Sequence, residues 1–281
     1  MPRLSNDFLY PEEIEKGYKK EDLLQNFRNY IEHATRVQKE YNSKSGVKLL
    51  VGFEIEGLDD EHISFSDEIL SQYPINMTVG SVHYLHKIPI DFSAELWLEA
   101  RDQSKDKTAR GLYKDYFDLQ FEVISRLKPN VIGHFDLIRL FEPKDEIDPT
   151  TGIKIRDINL EKDWPEVWEG IVKNIKFAVN YGALFELNSA AIRKGWDSPY
   201  PKKDISLIIK GNGGRFCLSD DSHGLKQVGL NFHKVRDYVV NELKLSDIYY
   251  LDLDKGRTVV KSISIDEFEK SNFWQQYENL P

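Results

Sequence analysis

The chain has 281 residues, 40% of them hydrophobic and 30% charged, with a formal net charge of −9, the balance of a soluble globular protein with a substantial core. That acidity argues against a general nucleic-acid partner, which needs basic groups to displace counterions, but it leaves room for a locally positive pocket that takes a small anion. The one cysteine, Cys217, excludes an internal disulfide and a thiolate zinc cluster.

In chain order, Leu23 to Tyr41 is the first amphipathic stretch, with Leu23, Phe27, Tyr30, Ile31, Ala34 and Val37 on one helical face. The apolar runs Lys48–Glu54 and Met77–His83 follow, each short and closed by an ionisable residue; like the later runs, which add Ile and Phe, they predict buried strands. Leu112 to Leu127 predicts a second helix, and Asn130–His134 a third strand. The stretch 142–162, rich in Asp, Pro, Thr and Gly, predicts a long surface loop. Pro165 to Tyr181 predicts a helix, with Asp163 as its cap and Gly182 just past its end. Ala183–Asn188 is the next strand, followed by a short excursion at 195–201. Gly211-Asn-Gly-Gly214 precedes a strand instead of following one, so it predicts a helix stop and not a phosphate loop. Phe216–Asp221, within which Cys217 reads as a core residue, is followed by a helix over Val228–Leu243 and a last apolar run over Asp247–Leu251. Strand and helix in alternation imply parallel pairing, an α/β fold and a single domain over 1–281.

The polar endings carry the chemistry. Glu54, His83, His134, Glu186 with Asn188, and Asp221 with His223 all fall at or just past strand ends, the face on which an α/β barrel gathers its catalytic groups. Alone, each reads as an ordinary satisfied polar residue. Together, imidazoles and carboxylates make the donor set of zinc, iron or manganese, and the mixture suits a two- or three-metal hydrolytic site. Gly52, Gly80 and Gly133 fit places where backbone or ligand approaches closely. The other histidines, His33, His62, His86 and His233, read as structural or solvated.

Several phrases together resemble a known family: Gly52-Phe-Glu-Ile-Glu56, Val79-Gly-Ser-Val-His83, Ile88-Pro-Ile-Asp-Phe92, Ile132-Gly-His-Phe-Asp136, Phe185-Glu-Leu-Asn188 and Leu218-Ser-Asp-Asp-Ser-His-Gly224. Their order is similar to that of histidinol-phosphate phosphatases of the PHP (polymerase and histidinol phosphatase) superfamily, fungal type. The resemblance implies a distorted (β/α)7 TIM-like barrel with up to three divalent metals at its strand ends. It also implies a metal-dependent hydrolase that converts L-histidinol phosphate to L-histidinol and phosphate in histidine biosynthesis. Carried onto this chain, Glu54 resembles the metal-bridging carboxylate, His83 and His134 further ligands, Asp221 a ligand of the partner metal and His223 a ligand of a third. On the enzymatic reading Glu54 helps hold the attacking hydroxide, while Asp221 or His223 protonates the leaving oxygen or only positions metal. Arg193 and Lys194 are candidates for phosphate binding, Arg139 is another, and Ser81 is a candidate to line the pocket.

The family also has a His-x-His strand end, a further ligand and a Thr-Glu-His strand end, and these align upstream of Met1. The chain is therefore expected to lack the first two βα units and to hold fewer metals. A short gene model or truncation, a diverged paralogue, or complementation by another chain would each account for this. Open strand edges invite pairing, so low stability or a homo-oligomer is expected. The alternative to an active enzyme is a catalytically impaired PHP remnant without turnover. A different PHP phosphoesterase is a further alternative, although the acidic charge and the absence of a basic, aromatic strip weigh against a polymeric nucleic-acid substrate. No leader and no run of ~20 apolar residues is visible, so the expectation is a cytoplasmic protein acting on a small phosphomonoester, with neither membrane nor nucleic acid as partner.

Overall fold

The computed structural model describes residues 2–44 and 46–277, and in it the alternation of apolar runs and amphipathic stretches becomes parallel strands joined through helices. The chain divides into two units, Met1–Asn130 with Leu137–Ala178, and Val131–Asp136 with Val179–Pro281.

In the first unit α1 (Pro11–Glu15) and the long α2 (Lys20–Asn42) precede β1 (Gly52–Glu56), α3 (Asp60–Gln72) and β2 (Met77–Ser81). β1 and β2 pair in parallel, from Gly52 opposite Met77 to Glu56 opposite Ser81, the arrangement that a crossover helix permits. α2 forms because Phe27 and Ile31, one turn apart, share a face with Leu24 and Ala34, and that face closes on Val51 and Ile69. The Asn76 side-chain oxygen accepts from Val51 N at 3.0 Å and Gln38 Nε2 at 2.6 Å, which fixes the entry to both strands. A Cβ on Gly52 would lie 2.4 Å from the Met77 carbonyl oxygen, and one on Gly80 2.4 Å from Pro129 Cγ. These glycines let chain segments approach one another closely.

β3 (Tyr84–Leu85) and β4 (Ile88–Pro89) form an antiparallel hairpin. Its two turn residues, His86 and Lys87, have φ of 53° and 66°, the geometry that matches strand twist in two-residue hairpins. α4 (Ala94–Gln103), α5 (Ala109–Leu127), α6 (Leu160–Asp163) and α7 (Pro165–Tyr181) follow. Trp97 donates from its indole to Ile138 O at 2.8 Å, and Asn174 donates to Phe117 O at 2.8 Å. The 142–162 stretch is less of a surface loop than expected: Asp148, Ile155 and Leu160 are buried, and Asp148 accepts from both the amide and the hydroxyl of Thr151 at 2.8 Å. Asp163 does not cap α7. It ends α6, and its carboxylate accepts from Asn159 N at 2.8 Å.

In the second unit β5 (Val131–Ile132), β6 (Leu184–Asn188) and β7 (Arg215–Ser219) pair in parallel, in that order. All five residues of β6 are buried, as expected of a parallel strand covered on both faces. α8 (Ala190–Arg193) and α9 (Lys203–Gly211) lie between β6 and β7. The Asn212 and Gly213 amides return to the carbonyls of Ile208 and Lys210, so the glycine run is a helix stop. The helix expected from Val228 is shorter: α10 (Phe232–Asp237) begins after a turn in which Gly229 and Asn231 have φ of 71° and 66°, and it continues as one wide turn over Tyr238–Glu242. The apolar run Asp247–Leu251 does not join the parallel set. It belongs to β8 (Asp247–Asp254), which pairs antiparallel with β9 (Arg257–Ser264). α11 (Ile265–Glu269) then brings Phe268 against Trp274, with ring centroids 4.8 Å apart. Among the described residues no helix is long and apolar enough to cross a membrane.

Candidate functional site

Side chains alternate along a strand, so Glu54 and Glu56 share the face of β1 opposite the fully buried Ile55. Their surroundings differ. The Glu54 side chain is 37% exposed, and that of Glu56 only 8%. His83 follows two residues after the end of β2, and its carbonyl accepts from Ile90 N at 2.9 Å, which ties it to the β3–β4 hairpin. The imidazole stands between the two carboxylates, with Nε2 3.6 Å from Glu54 Oε1 and Nδ1 3.1 Å from Glu56 Oε1. On its far side Glu56 meets Arg3: Nη2 donates to Oε1 at 3.3 Å, and Nη1 pairs with Oε2. The guanidinium carbon of Arg3 lies 5.6 Å from the ring centroids of both Tyr10 and Tyr84. Tyr10 donates to Asp91 at 3.4 Å. Burial above all, then Asp91 and to a smaller degree Glu54, hold the Tyr10 hydroxyl well above its ordinary pKa.

A carboxylate oxygen and an imidazole nitrogen that share one tetrahedral ion, each at ~2.0–2.2 Å, stand roughly 3.3–3.6 Å apart. The Glu54–His83 separation of 3.6 Å meets that spacing and is too long for a direct hydrogen bond. Donor chemistry and spacing therefore both fit a divalent ion. Ser81, buried and opposite Glu56 in the strand pair, lies two residues from His83. Arg139 is buried in the short turn Leu137–Arg139 of the same unit.

In the second unit His134 lies just past β5, and its backbone N–H donates to Glu186 Oε1 at 2.5 Å. The same oxygen accepts from Asn188 Nδ2 at 2.8 Å, and Asn188 Oδ1 accepts from Ala190 N at 2.8 Å. This buried network fixes the backbone at His134; Tyr200 closes one side, its ring centroid 6.1 Å from that of His134. Past β7 the chain turns sharply: Asp221 has φ of 48°. Asp220, not Asp221, organises that turn, accepting from Ser222 N at 3.1 Å and from Gly229 N at 2.5 Å. Arg193 donates to the carbonyls of Asp220 and Asp221 at 3.2 and 3.1 Å. His223 is largely exposed, with Nδ1 2.9 Å from Asp221 O, and Lys194 is exposed too. Arg3, Glu56 and Asp220 have no role in the expectations drawn from sequence, and Glu186, expected among the strand-end candidates, holds the His134 backbone. Glu56 carried a signal, its place two residues from Glu54 on one strand; Arg3 carried none.

Residues 18–190 match the model of the PHP domain family. The histidinol-phosphatase of Saccharomyces cerevisiae is 34% identical over 294 residues, an alignment that takes in 98% of this chain and 88% of that protein. A Schizosaccharomyces pombe protein named as a probable histidinol-phosphatase is 37% identical over 278 residues, covering 98% of this chain and 84% of its own length. In fold, the chain resembles the crystal structure of histidinol phosphate phosphatase from Lactococcus lactis complexed with zinc, L-histidinol and phosphate, at a TM-score of 0.55 and 18% identity over 83% of this chain and 79% of that one. A parallel α/β scaffold, a carboxylate–imidazole pair at metal-sharing distance and near-complete alignment with curated relatives agree: this chain is a member of the PHP family, in its histidinol-phosphatase branch.

Proposed function

We propose that the chain hydrolyses L-histidinol phosphate to L-histidinol and inorganic phosphate, with Glu54, His83, His134, Asp221 and His223 as ligands of divalent zinc, iron or manganese. The observation that carries this is identity of 34% and 37% to curated relatives of that name over 98% of the chain. The metal reading is supported by the Glu54–His83 spacing and by the zinc in the Lactococcus complex. The fold we infer is a single domain of the distorted, TIM-like (β/α)7-barrel type, a reading supported by that structural likeness. A small cytoplasmic phosphomonoester is the proposed partner.

Bound at these residues, divalent ions supply Lewis-acid polarisation of the phosphoryl oxygens and an activated water. The protein's own groups do the rest. Glu54 orients the attacking water, a role supported by its greater exposure than Glu56. Arg193 meets the phosphate with the donors left after its bonds to the Asp220 and Asp221 carbonyls. Lys194 and Arg139 add positive charge, and the Ser81 hydroxyl lines the pocket. Asp221 or His223 delivers the proton to the departing histidinol oxygen. No observation favours a remnant without turnover.

The test is substitution at the first two donors. Glu54→Gln and His83→Ala are expected to lower kcat on L-histidinol phosphate by on the order of a hundredfold or more, the scale of losing an electrostatic stabiliser, and to lower the bound metal measured by plasma mass spectrometry. Variants that keep parental kcat and metal content would remove both residues from the site.

A further inference from the structure

We infer that Glu56 and Arg3 are positioning residues that set the orientation and tautomer of His83, an inference that rests on the metal-hydrolase reading above. Glu54 and Glu56 look equivalent in sequence, yet the structure divides them. Glu54 is partly open to solvent and stands 3.6 Å from His83 Nε2, whereas Glu56 is 8% exposed and stands 3.1 Å from Nδ1. An imidazole that binds a metal through one nitrogen commonly gives its other N–H to a carboxylate, which fixes the tautomer and raises the basicity of the ligating nitrogen. Glu56 is placed for that duty, so that Nδ1 carries the proton and Nε2 offers its lone pair on the Glu54 side.

A carboxylate free to rotate would hold the ring poorly. Arg3 meets both oxygens of Glu56, the two-pronged contact that only a guanidinium makes. Arg3 is itself held, with its guanidinium carbon 5.6 Å from the rings of Tyr10 and Tyr84. Tyr84, the residue after His83, donates to Phe8 O at 3.0 Å. The side chains of Arg3, Glu56 and His83 are all 10% exposed or less. A buried Arg–Glu pair is seldom the most stable filling for such a space, so a role in holding the imidazole gives it a reason to be there.

The competing reading is a clamp that only ties residues 3–10 to β1. Zinc affinity by competition with a chromophoric chelator, and the visible spectrum of the cobalt-substituted protein, separate the two. Both are measured on the full chain as parent, Glu56→Gln, Arg3→Lys and, as a control in the same unit, Glu166→Gln, which breaks the Arg110–Glu166 pair. His83→Ala identifies the cobalt band that reports on this imidazole. Glu56→Gln and Arg3→Lys are expected to weaken zinc binding ten- to a hundredfold and to shift that band, while Glu166→Gln changes neither. Parental zinc affinity and an unshifted band in both variants would overturn the inference and leave a clamp. If Glu56→Gln does not fold, Arg3→Lys, which keeps the charge, decides. A parent that binds no zinc and hydrolyses nothing would overturn the metal-hydrolase reading and this inference together. A parent that binds zinc and turns over, beside variants that bind it equally tightly, overturns this inference alone.

Discussion

His62 packs edge-on against Phe8 and Phe65, with ring centroids 5.9 and 5.8 Å away, and has no exposed surface. Burial first, and then the neighbouring Arg3 charge, push its pKa down to about 4. An unfolded histidine titrates near ~6.5, so in this interval the unfolded chain takes up a proton that the folded ring refuses. The stability that His62 allows is therefore complete above the unfolded pKa and falls as the pH drops from there toward 4, by up to about 3 kcal/mol. His62→Phe should flatten that slope. Urea midpoints at pH 7 and pH 5 should draw apart more in the parent than in the variant; equal or larger separation in the variant would show that another group dominates. Sequence reads His62 as structural or solvated, and its burial among aromatic rings makes it structural. Sequence offered no access to Arg3, because the partner that gives Arg3 its role is Glu56, 53 residues away, and neither periodicity nor a local motif links the two.

Among elements, the parallel strands were legible because short apolar runs ending in polar residues have few other uses, and β1, β2, β5, β6 and β7 all lie on such runs. The last run misled because β9 alternates only weakly and the Lys255-Gly256 turn, with φ of 49° and 78°, was not recognised as a hairpin. The Val228–Leu243 stretch misled for another reason. Val228 and Leu230 fit a helical pattern but sit exposed on a turn, which Asp220 holds through the Gly229 amide. α4 and α9 went unread; α9 spans only nine residues, too short to display a clear period. The register of β1 on β2 brings Glu54 and His83 to one end, and Gly52 permits it. Gly52→Ala would place a methyl 2.4 Å from the Met77 carbonyl oxygen, a backbone atom that cannot rotate away. We expect a loss of about 1–3 kcal/mol in unfolding free energy, read from urea denaturation, with lower zinc affinity as the strands shift. Parental stability would mean that the strands part without cost and that their register does not set the donor spacing.

For the whole molecule, a net charge of −9 and an anionic substrate are compatible only if positive charge is concentrated where the phosphate lands. Divalent ions and Arg193 provide that concentration on the present account, and removal of the ions should leave the acidic protein without affinity for a phosphomonoester. The family was legible from ordered phrases along the chain, which is why relatives align over 98% of it. The candidate donors were legible as residue types, whereas the contacts of Arg3 with Glu56 and of Glu56 with His83 became visible only in three dimensions. The most direct measurement is phosphate release from L-histidinol phosphate by the purified chain, first stripped with a chelator and then reconstituted with zinc, manganese or iron. The account predicts turnover that is restored by metal and falls on the order of a hundredfold or more when the metal is withdrawn. A folded, metal-saturated chain with no release above the buffer rate would contradict it.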